Sequence, residues 1–119
     1  MIESIHIMII GILTQLDDAE GALNNLLEAD FNSSNISVVM SNKEQAKAIS
    51  DSSGVLTGTP VEGLAEALVK LGLKKDALKY QDMVKKGGVL VVVSAEGKDE
   101  EEAVKEILRD QKGRLIKKI

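Results

Sequence analysis

The hydrophobic positions of the chain fall into two kinds of pattern, short apolar runs and helical stripes. Residues 5–12 form an apolar run rich in β-branched side chains, and residues 89–93 form another, which is typical of strands buried on both faces. Ile36, Val38 and Met40 alternate with smaller or polar residues, and Leu115-Ile116 marks a short final segment. The pattern therefore predicts four strands, of which the first and third are the most apolar.

Helical stripes separate these strands. Asp17-Asp18-Ala19-Glu20 has the form of a capping box, with Asp17 as the expected cap. The stripe that follows it consists of Ala19, Ala22, Leu23, Leu26 and Leu27. A turn is predicted over residues 32–35 from its Asn and Ser content. Ser41 to Glu44 can cap a short helix carrying Ala46 and Ile49, and residues 50–59 are expected to form a loop.

Three further helices are predicted in the second half of the chain. Thr59-Pro60-Val61-Glu62 combines a cap, a proline at the first helical position and a glutamate, and Gly72 is expected to close this helix. Its buried stripe is Val61, Leu64, Ala65, Leu68 and Leu71, and that of the next helix is Leu73, Ala77, Tyr80 and Val84. We expect Gly87 to end that second helix in a left-handed conformation. The last helix starts with acidic residues 99–102, presents Ala103, Val104, Ile107 and Leu108 to the core, and is expected to stop at Gly113.

The order of these elements is β-α-β, two or three helices, then β-α-β. We predict an α/β chain of the α+β type with a ferredoxin-like split β-α-β sheet, in which helices are inserted between the second and third strands. Residues 1–119 form one domain in this interpretation, with the insertion at about residues 43–86. The spatial order 4-1-3-2 places the two most apolar strands in the centre. A small doubly wound sheet is the alternative, but it would require more strands and a ligand loop after the first.

Both faces of the first strand are apolar. His6, Met8, Ile10 and Ile12 lie on one face, and Ile5, Ile7 and Ile9 lie on the other. Because the two main helices of a ferredoxin-like sheet cover one face only, the inserted helices or a second copy of the chain must cover the other. We expect a homo-oligomer, a dimer or larger, with His6, Met8 and Ile10 as candidate interface residues.

The composition removes most kinds of chemistry. The chain has 119 residues, a formal charge of −4, no cysteine and one histidine, and its only aromatic side chains are Phe31 and Tyr80. Thiolate metal sites, disulfides and paired-histidine sites are therefore excluded. The acidic chain with few aromatic residues does not favour nucleic-acid binding. We expect no leader segment, and no apolar run is long enough for a membrane span, so no membrane association is expected.

Three charged or glycine-rich motifs are candidate binding sites. Gly58 and Gly63 have the Walker spacing, but Leu64 and Ala65 replace the lysine and the hydroxyl residue, so no nucleotide site is predicted. A weaker anion site at the N-terminus of the Thr59-Pro60 helix is the alternative. The acidic residues 99–102 with Glu106, and the lysines at positions 74, 75, 79, 85 and 86, are best explained as solvated helix surfaces. We predict no metal ion and no cofactor.

Several segments resemble a bacterial family, the general stress protein 17M-like domains (heat-induced stress proteins). They are Ile10-Gly11-Ile12, residues 26–31 leading into residues 36–39, Gly63-Leu64, Leu71-Gly72-Leu73, residues 76–80, residues 87–93 and residues 101–108. The resemblance implies a small cytoplasmic α/β domain linked to stress or envelope physiology, and it supplies no catalytic residues. The family's apolar segment after the second strand is replaced here by the polar residues 50–59.

These observations lead to three hypotheses about function. The first is a non-enzymatic, stress-related domain that acts through self-association or other protein contacts. The second is a regulatory domain that binds a small-molecule effector at a subunit interface or against residues 54–59. The third is an enzyme with an apolar cavity in which His6 and Tyr80 would be the residues to test. We favour the first, because no catalytic constellation is evident in the sequence.

Overall fold

The structure, a computed structural model, describes residues 6–57 and 63–119, and these ranges contain five strands and five helices. The strands are β1 (His6–Leu13), β2 (Ile36–Val39), β3 (Leu56–Thr57), β4 (Val89–Glu96) and β5 (Arg114–Lys118). The helices are α1 (Leu16–Glu28), α2 (Lys43–Ser53), α3 (Leu64–Lys70), α4 (Ala77–Lys85) and α5 (Gly97–Asp110). A single 3-10 turn, Ser33–Asn35, precedes β2.

The strands form one sheet in the order β3-β2-β4-β1-β5. β4 is antiparallel to both β1 and β2, and β1 is antiparallel to β5, so the four longer strands are antiparallel throughout. The predicted α+β class and the helices inserted between the second and third of these four strands, β2 and β4, are confirmed. The two most apolar strands, β1 and β4, lie side by side in the centre. β3 adds two residues, parallel to β2, on its outer side.

The first core lies on the face of the sheet that β1 presents through Ile9 and Leu13. Helices α1 and α5 cover this face, and the expected stripe of α1 is buried at Ala19, Ala22, Leu23 and Leu26, with Leu27 partly buried. In α5, Val104 and Leu108 are buried and Ala103 and Ile107 pack at the edge. These apolar contacts provide much of the stabilisation of this layer, since a fully buried aliphatic side chain contributes about 1.5–3 kcal/mol.

The second core lies on the opposite face, under Ile10 and Ile12. The inserted helices α3 and α4 cover it, and the predicted stripe of α4 is buried as expected. The members from the two helices and the turn between them are Leu64, Leu68, Leu73, Ala77, Tyr80 and Val84. The chain therefore covers this part of the second face itself, and the sheet is enclosed between two helical layers.

Two predicted boundaries near the N-terminal half are wrong. Helix α1 begins at Leu16 after Gln15, which makes no side-chain cap, so Asp17 is not the cap. The reason is that β1 extends to Leu13 and the chain turns into the helix at once, which places Asp17 and Asp18 in the first turn, where the helix dipole favours them. Residues 50–53 are helical rather than part of a loop, because α2 continues to Gly54, whose φ of 77° ends it.

Helices α4 and α5 differ in the residue that takes the left-handed conformation at their C-terminal ends. Helix α4 ends as predicted at Gly87 (φ 104°), and the N–H of Gly88 donates to the carbonyl of Met83 at 2.9 Å. Helix α5 ends in the same way shortly before Gly113, where its stop was predicted, and its left-handed residue is Lys112 (φ 64°). Gly113 occupies the next position, where a Cβ would lie 2.7 Å from the Leu108 carbonyl oxygen. The predicted cap at Thr59-Pro60 lies outside the described residues.

Candidate functional site

The three candidate interface residues lie along β1 at different depths. Ile10 has no exposed surface, because the second core encloses it, so a partner could not reach it in this chain. Met8 is half-buried and pairs with Ser94 of β4. The backbone of His6 pairs with Glu96 at the start of β1, and its side chain lies outside the described residues. An interface on this face would therefore involve the Met8 end of the strand.

Tyr80 has a structural environment that bears on the enzyme hypothesis. Its side chain is fully buried in the second core, and its hydroxyl donates a hydrogen bond to the carbonyl of Leu115. Burial, with a smaller effect from the charge of Asp76, raises the pKa of Tyr80 to about 12. The hydroxyl is thus protonated at neutral pH and engaged with the backbone. His6 pairs at the opposite end of β1 from Ile10 and Ile12, the β1 members of the core that holds Tyr80.

The most unusual surface of the described residues lies where α3 turns into α4. Val69 is 44% exposed, Leu71 is 41% exposed and Leu78 is 74% exposed, and these are the exposed large hydrophobic residues of ranges 6–57 and 63–119. Four exposed lysines occupy the same segment: Lys70, Lys74, Lys75 and Lys79. We call residues 69–79 the basic tip. It combines apolar side chains with positive charge on a chain whose net charge is negative.

The one carboxylate of the basic tip is already engaged. Asp76 forms an ion pair with Lys117 of β5, and the hydrogen bond from Lys117 is the main reason that the pKa of Asp76 lies below its ordinary value. The positive charges of Lys79 and Lys75 lower that pKa further, which shows that both lie near Asp76. Within the described ranges, no carboxylate pairs with these two lysines or with Lys70 and Lys74. Their charge is available to a partner.

A second charged surface lies in the other helical layer, where the end of α1 meets the start of α5. Here a groove of about 410 Å³ is lined by the carboxylates of Asp30, Glu96, Asp99 and Glu100. Ala29, Phe31 and Ala103 supply apolar surface to the same groove, and Asn32 and Asn35 complete the lining. We call it the acidic groove. Glu100 is partly used within the chain, because it accepts a hydrogen bond of 2.9 Å from the backbone N–H of Glu96.

The sequence explains why this layer is acidic. The first lysine or arginine of the chain is Lys43, so α1 and the turn after it carry carboxylates without any basic residue. The first turn of α5 adds Asp99 and Glu100, where the helix dipole stabilises negative charge. The molecule therefore has positive charge concentrated at the end of one helical layer and negative charge concentrated in the other.

A smaller cleft of about 310 Å³ separates α1 from α2. Helix α1 contributes Leu16, Glu20, Leu23 and Asn24, and α2 contributes Gln45, Ala48, Ile49, Ser52 and Ser53. Glu20 is the one ionisable residue among them. The cleft is at the lower end of the volumes that hold small ligands, and its lining residue Ser53 directly precedes Gly54, the first residue of the segment predicted as an alternative effector site.

The sequence pattern does not predict that Val69, Leu71 and Leu78 lie at the surface. Leu71 was expected on the buried stripe of its helix, but it follows the last residue of α3 and is exposed. Leu78 offered a usable signal, because it falls outside the buried stripe formed by Ala77, Tyr80 and Val84 and adjoins Lys79. A large apolar residue on the lysine-bearing side of a helix indicates an exposed surface of this kind.

Other kinds of site were also considered. Within residues 6–57 and 63–119, no group of three or more histidine or carboxylate side chains is placed to hold a metal ion. None of the described helices is long and apolar enough to cross a membrane. Comparisons of the chain with protein families, with curated proteins and with solved structures each find no match.

Proposed function

We propose that this chain is a ferredoxin-like domain without catalytic activity that acts through protein contacts, first of all by self-association. The observation that carries the proposal is the basic tip, where three exposed aliphatic side chains lie within ten residues of one another. Clustered exposed apolar side chains mark interaction surfaces, whereas single ones are common on any protein. The resemblance to general stress proteins supports a stress-related, cytoplasmic setting.

The ferredoxin-like assignment is supported by the order of the four longer strands. In the order β2-β4-β1-β5, the helices that follow β1 and β4, α1 and α5, share one face of the sheet. The inserted α3 and α4 cover the opposite face and form the basic tip at one end. The insertion thus has two consequences, since it closes the second core and presents a new surface.

Effector binding is the second candidate function, and the geometry favours it less. The α1–α2 cleft gathers neutral polar groups with the single carboxylate of Glu20, so it provides little to select a charged metabolite. Ligand sites generally combine apolar walls with a few convergent polar groups that fix orientation. The basic tip, by contrast, exposes apolar area that gains free energy on contact with another protein.

Sedimentation velocity tests self-association directly. The wild-type chain should show a weight-average mass that rises with concentration from about 10 μM to about 500 μM, the range in which small interfaces associate. The variant Leu78→Ser should weaken this association about tenfold, because it removes the most exposed apolar side chain of the basic tip. Lys47→Ser, at an exposed position of α2, is the matched control and should associate like the wild type.

Three results would count against the proposal. A wild-type chain that stays monomeric over the whole concentration range would reject self-association. Equal association of wild type and Leu78→Ser would show that the interface lies elsewhere, for example at the Met8 end of β1. A metabolite that raises the unfolding temperature of a monomeric chain would favour the effector-binding alternative.

A further inference from the structure

We infer that the basic tip of one copy docks into the acidic groove of a second copy, so that the chain associates head to tail. This inference rests on the proposed function and deepens it, because it names the surface that receives the basic tip. The proposed partner is a second copy of the same chain.

The charges of the two surfaces are complementary. The basic tip offers four exposed lysines, and its own carboxylate, Asp76, is paired with Lys117. The acidic groove is lined by four acidic residues, from the turn after α1, the end of β4 and the start of α5, and Glu96 and Glu100 among them also have partners within the chain. Opposite charges arranged in this way steer encounter and fix the register of two surfaces. Contact of two basic tips with each other would instead place lysines against lysines.

The apolar parts of the two surfaces also correspond. Leu78 lies in the first turn of α4 and is 74% exposed. The acidic groove has a volume of about 410 Å³ and includes Ala29, Phe31 and Ala103 among its walls. A leucine seated there would contact these three apolar residues, and the acidic residues of the same groove would face the lysines of the basic tip. Central apolar anchors with a charged rim are the usual anatomy of a protein interface.

The positions of the two surfaces determine the kind of assembly. The basic tip belongs to the layer over Ile10 and Ile12, and the acidic groove belongs to the layer over Ile9 and Leu13, so the sheet lies between them. A basic tip therefore does not reach the groove of its own chain, and it remains available for the next one. A contact between two different patches leaves one of each free at the ends, and it extends as a chain or closes as a ring.

The association should be weak and sensitive to salt. The contact is small, since it involves the end of one helical layer and a single groove, and small interfaces of this kind are transient. Much of its attraction comes from partly exposed charges, which ions screen. Raising the salt concentration from about 50 mM to about 500 mM should weaken association about tenfold or more.

Two charge variants separate the two surfaces. Lys74→Glu with Lys75→Glu reverses the charge of the basic tip, and Lys85→Glu with Lys86→Glu makes the same charge change at the end of α4 as a control. Asp30→Asn with Asp99→Asn neutralises two charges of the acidic groove, and Asp17→Asn with Glu106→Gln is its control. All eight residues are exposed. The fold should therefore be retained, apart from small effects on stability at the helix ends. Circular dichroism and thermal unfolding verify this for each variant.

Mixing the variants gives the decisive measurement. The tip variant and the groove variant should each be monomeric, whereas both controls should associate like the wild type. An equimolar mixture of tip and groove variants should form a one-to-one dimer, because the intact basic tip of the groove variant fits the intact groove of the tip variant. This dimer should grow no further, since its remaining tip and groove both carry substitutions. Sedimentation velocity with one component fluorescently labelled measures both the formation of this dimer and the absence of larger species.

Other outcomes would overturn the inference. If the wild type associates and the tip variant does not, but the groove variant associates normally, the basic tip acts through another surface and only the proposed function survives. A wild type that stays monomeric overturns both. Binding of a monomeric wild type to vesicles containing phosphatidylserine, lost in the tip variant, would show that the partner is an anionic membrane and would also overturn the inference.

Discussion

Tyr80 shows how one side chain secures an irregular part of the sheet. The register between β1 and β5 shifts between Ile10 and Ile12, and Leu115 adopts a left-handed conformation with a φ of 51°. The hydroxyl of Tyr80 donates to the carbonyl of this same residue. A left-handed leucine is costly and persists only where its surroundings hold it. The hydrogen bond from the second core is such a restraint on the edge strand.

Removal of the Tyr80 hydroxyl should therefore destabilise the protein without disturbing its packing. We expect Tyr80→Phe to lower the free energy of unfolding by about 1–3 kcal/mol, because the partly buried hydrogen bond to the Leu115 carbonyl is lost while the ring stays in place. Denaturant unfolding monitored by circular dichroism measures the change. The α5 variant Glu106→Gln, at an exposed position, is a control that should leave stability unchanged. Equal stability of Tyr80→Phe and wild type would contradict this role.

At the scale of elements, four of the helices end by the same hydrogen-bond arrangement. At the ends of α1, α3, α4 and α5, the second residue beyond the cap donates its N–H to a carbonyl in the last turn of the helix. These donors are Phe31, Leu73, Gly88 and Gly113, in that order. The arrangement requires a left-handed residue, which is glycine in α3 and α4 but Asp30 in α1 and Lys112 in α5. Two helix ends therefore retain conformational strain.

Replacing Lys112 by glycine should relieve that strain at the end of α5. Since a non-glycine residue with positive φ costs about 1 kcal/mol or more, Lys112→Gly should raise the free energy of unfolding by about 1 kcal/mol. Lys112→Ala removes the same side chain but keeps the strain, so it should not stabilise the protein. Thermal unfolding of both variants distinguishes the backbone effect from the loss of charge.

The reverse substitution at the end of α4 provides a matched test. Gly87 has a φ of 104° and open space around the position of a Cβ, so Gly87→Lys changes the backbone preference without creating a clash. It should lose stability by an amount similar to that gained by Lys112→Gly. A loss at Gly87 without a gain at Lys112 would show that contacts of the lysine side chain offset its strain.

At the scale of the whole molecule, β5 ties both helical layers to the sheet. Adjacent residues of a strand point to opposite faces, and the two lysines at the end of β5 use this alternation. Lys117 pairs with Asp76 just before α4. Lys118 Nζ lies 3.7 Å from Glu101 Oε1 in α5. The other carboxylate oxygen of Glu101 accepts a hydrogen bond of 2.8 Å from Lys105. Glu101 is the buried charged residue of the described ranges. These pairs connect the edge strand to each layer.

The ion pairs predict how stability depends on pH. The hydrogen bond from Lys105, with the charges of Lys105 and Lys118, holds the pKa of Glu101 below its ordinary value of 4.5. A lowered pKa means that this carboxylate stabilises the fold above about pH 4.5, and that the stabilisation is lost as the pH falls through the lowered value. Glu101→Gln should therefore be less stable than wild type at neutral pH, and the difference should shrink below pH 4.5.

Chemical denaturation from neutral to acidic pH measures this difference. Glu106→Gln, on the exposed side of the same helix, is the control for removing one negative charge from α5. A stability difference between Glu101→Gln and wild type that stayed constant down to strongly acidic pH would contradict the role of the charged pair.

The sequence was most informative where the pattern is local. The apolar runs of β1 and β4 predicted the central strands, and the stripes of α1 and α4 predicted which of their residues are buried. The cap of α1 was predicted wrongly, because the length of β1 and the tight turn after it override the local capping signal. A two-residue strand such as β3 leaves almost no pattern to detect.

The candidate surfaces depend on contacts that are distant along the chain. The acidic groove joins Asp30 to Asp99, and the environment of Asp76 depends on Lys117. No spacing rule connects such pairs before the fold is known. The exposure of Leu78 could have been inferred from its place beside the buried stripe of α4, but the identity of its docking surface required the arrangement of both layers.

The enclosure of β1 by two cores has a consequence for how this protein can vary. In a sheet with one wet face, every second residue of a strand is free to change. Here five consecutive positions, Ile9 to Leu13, are all buried, and even Gly11 is constrained because a Cβ there would lie 3.0 Å from Leu108 Cδ1. The strand has no tolerant side between Ile9 and Leu13, so substitutions there should cost more stability than substitutions on the outer faces of the helices.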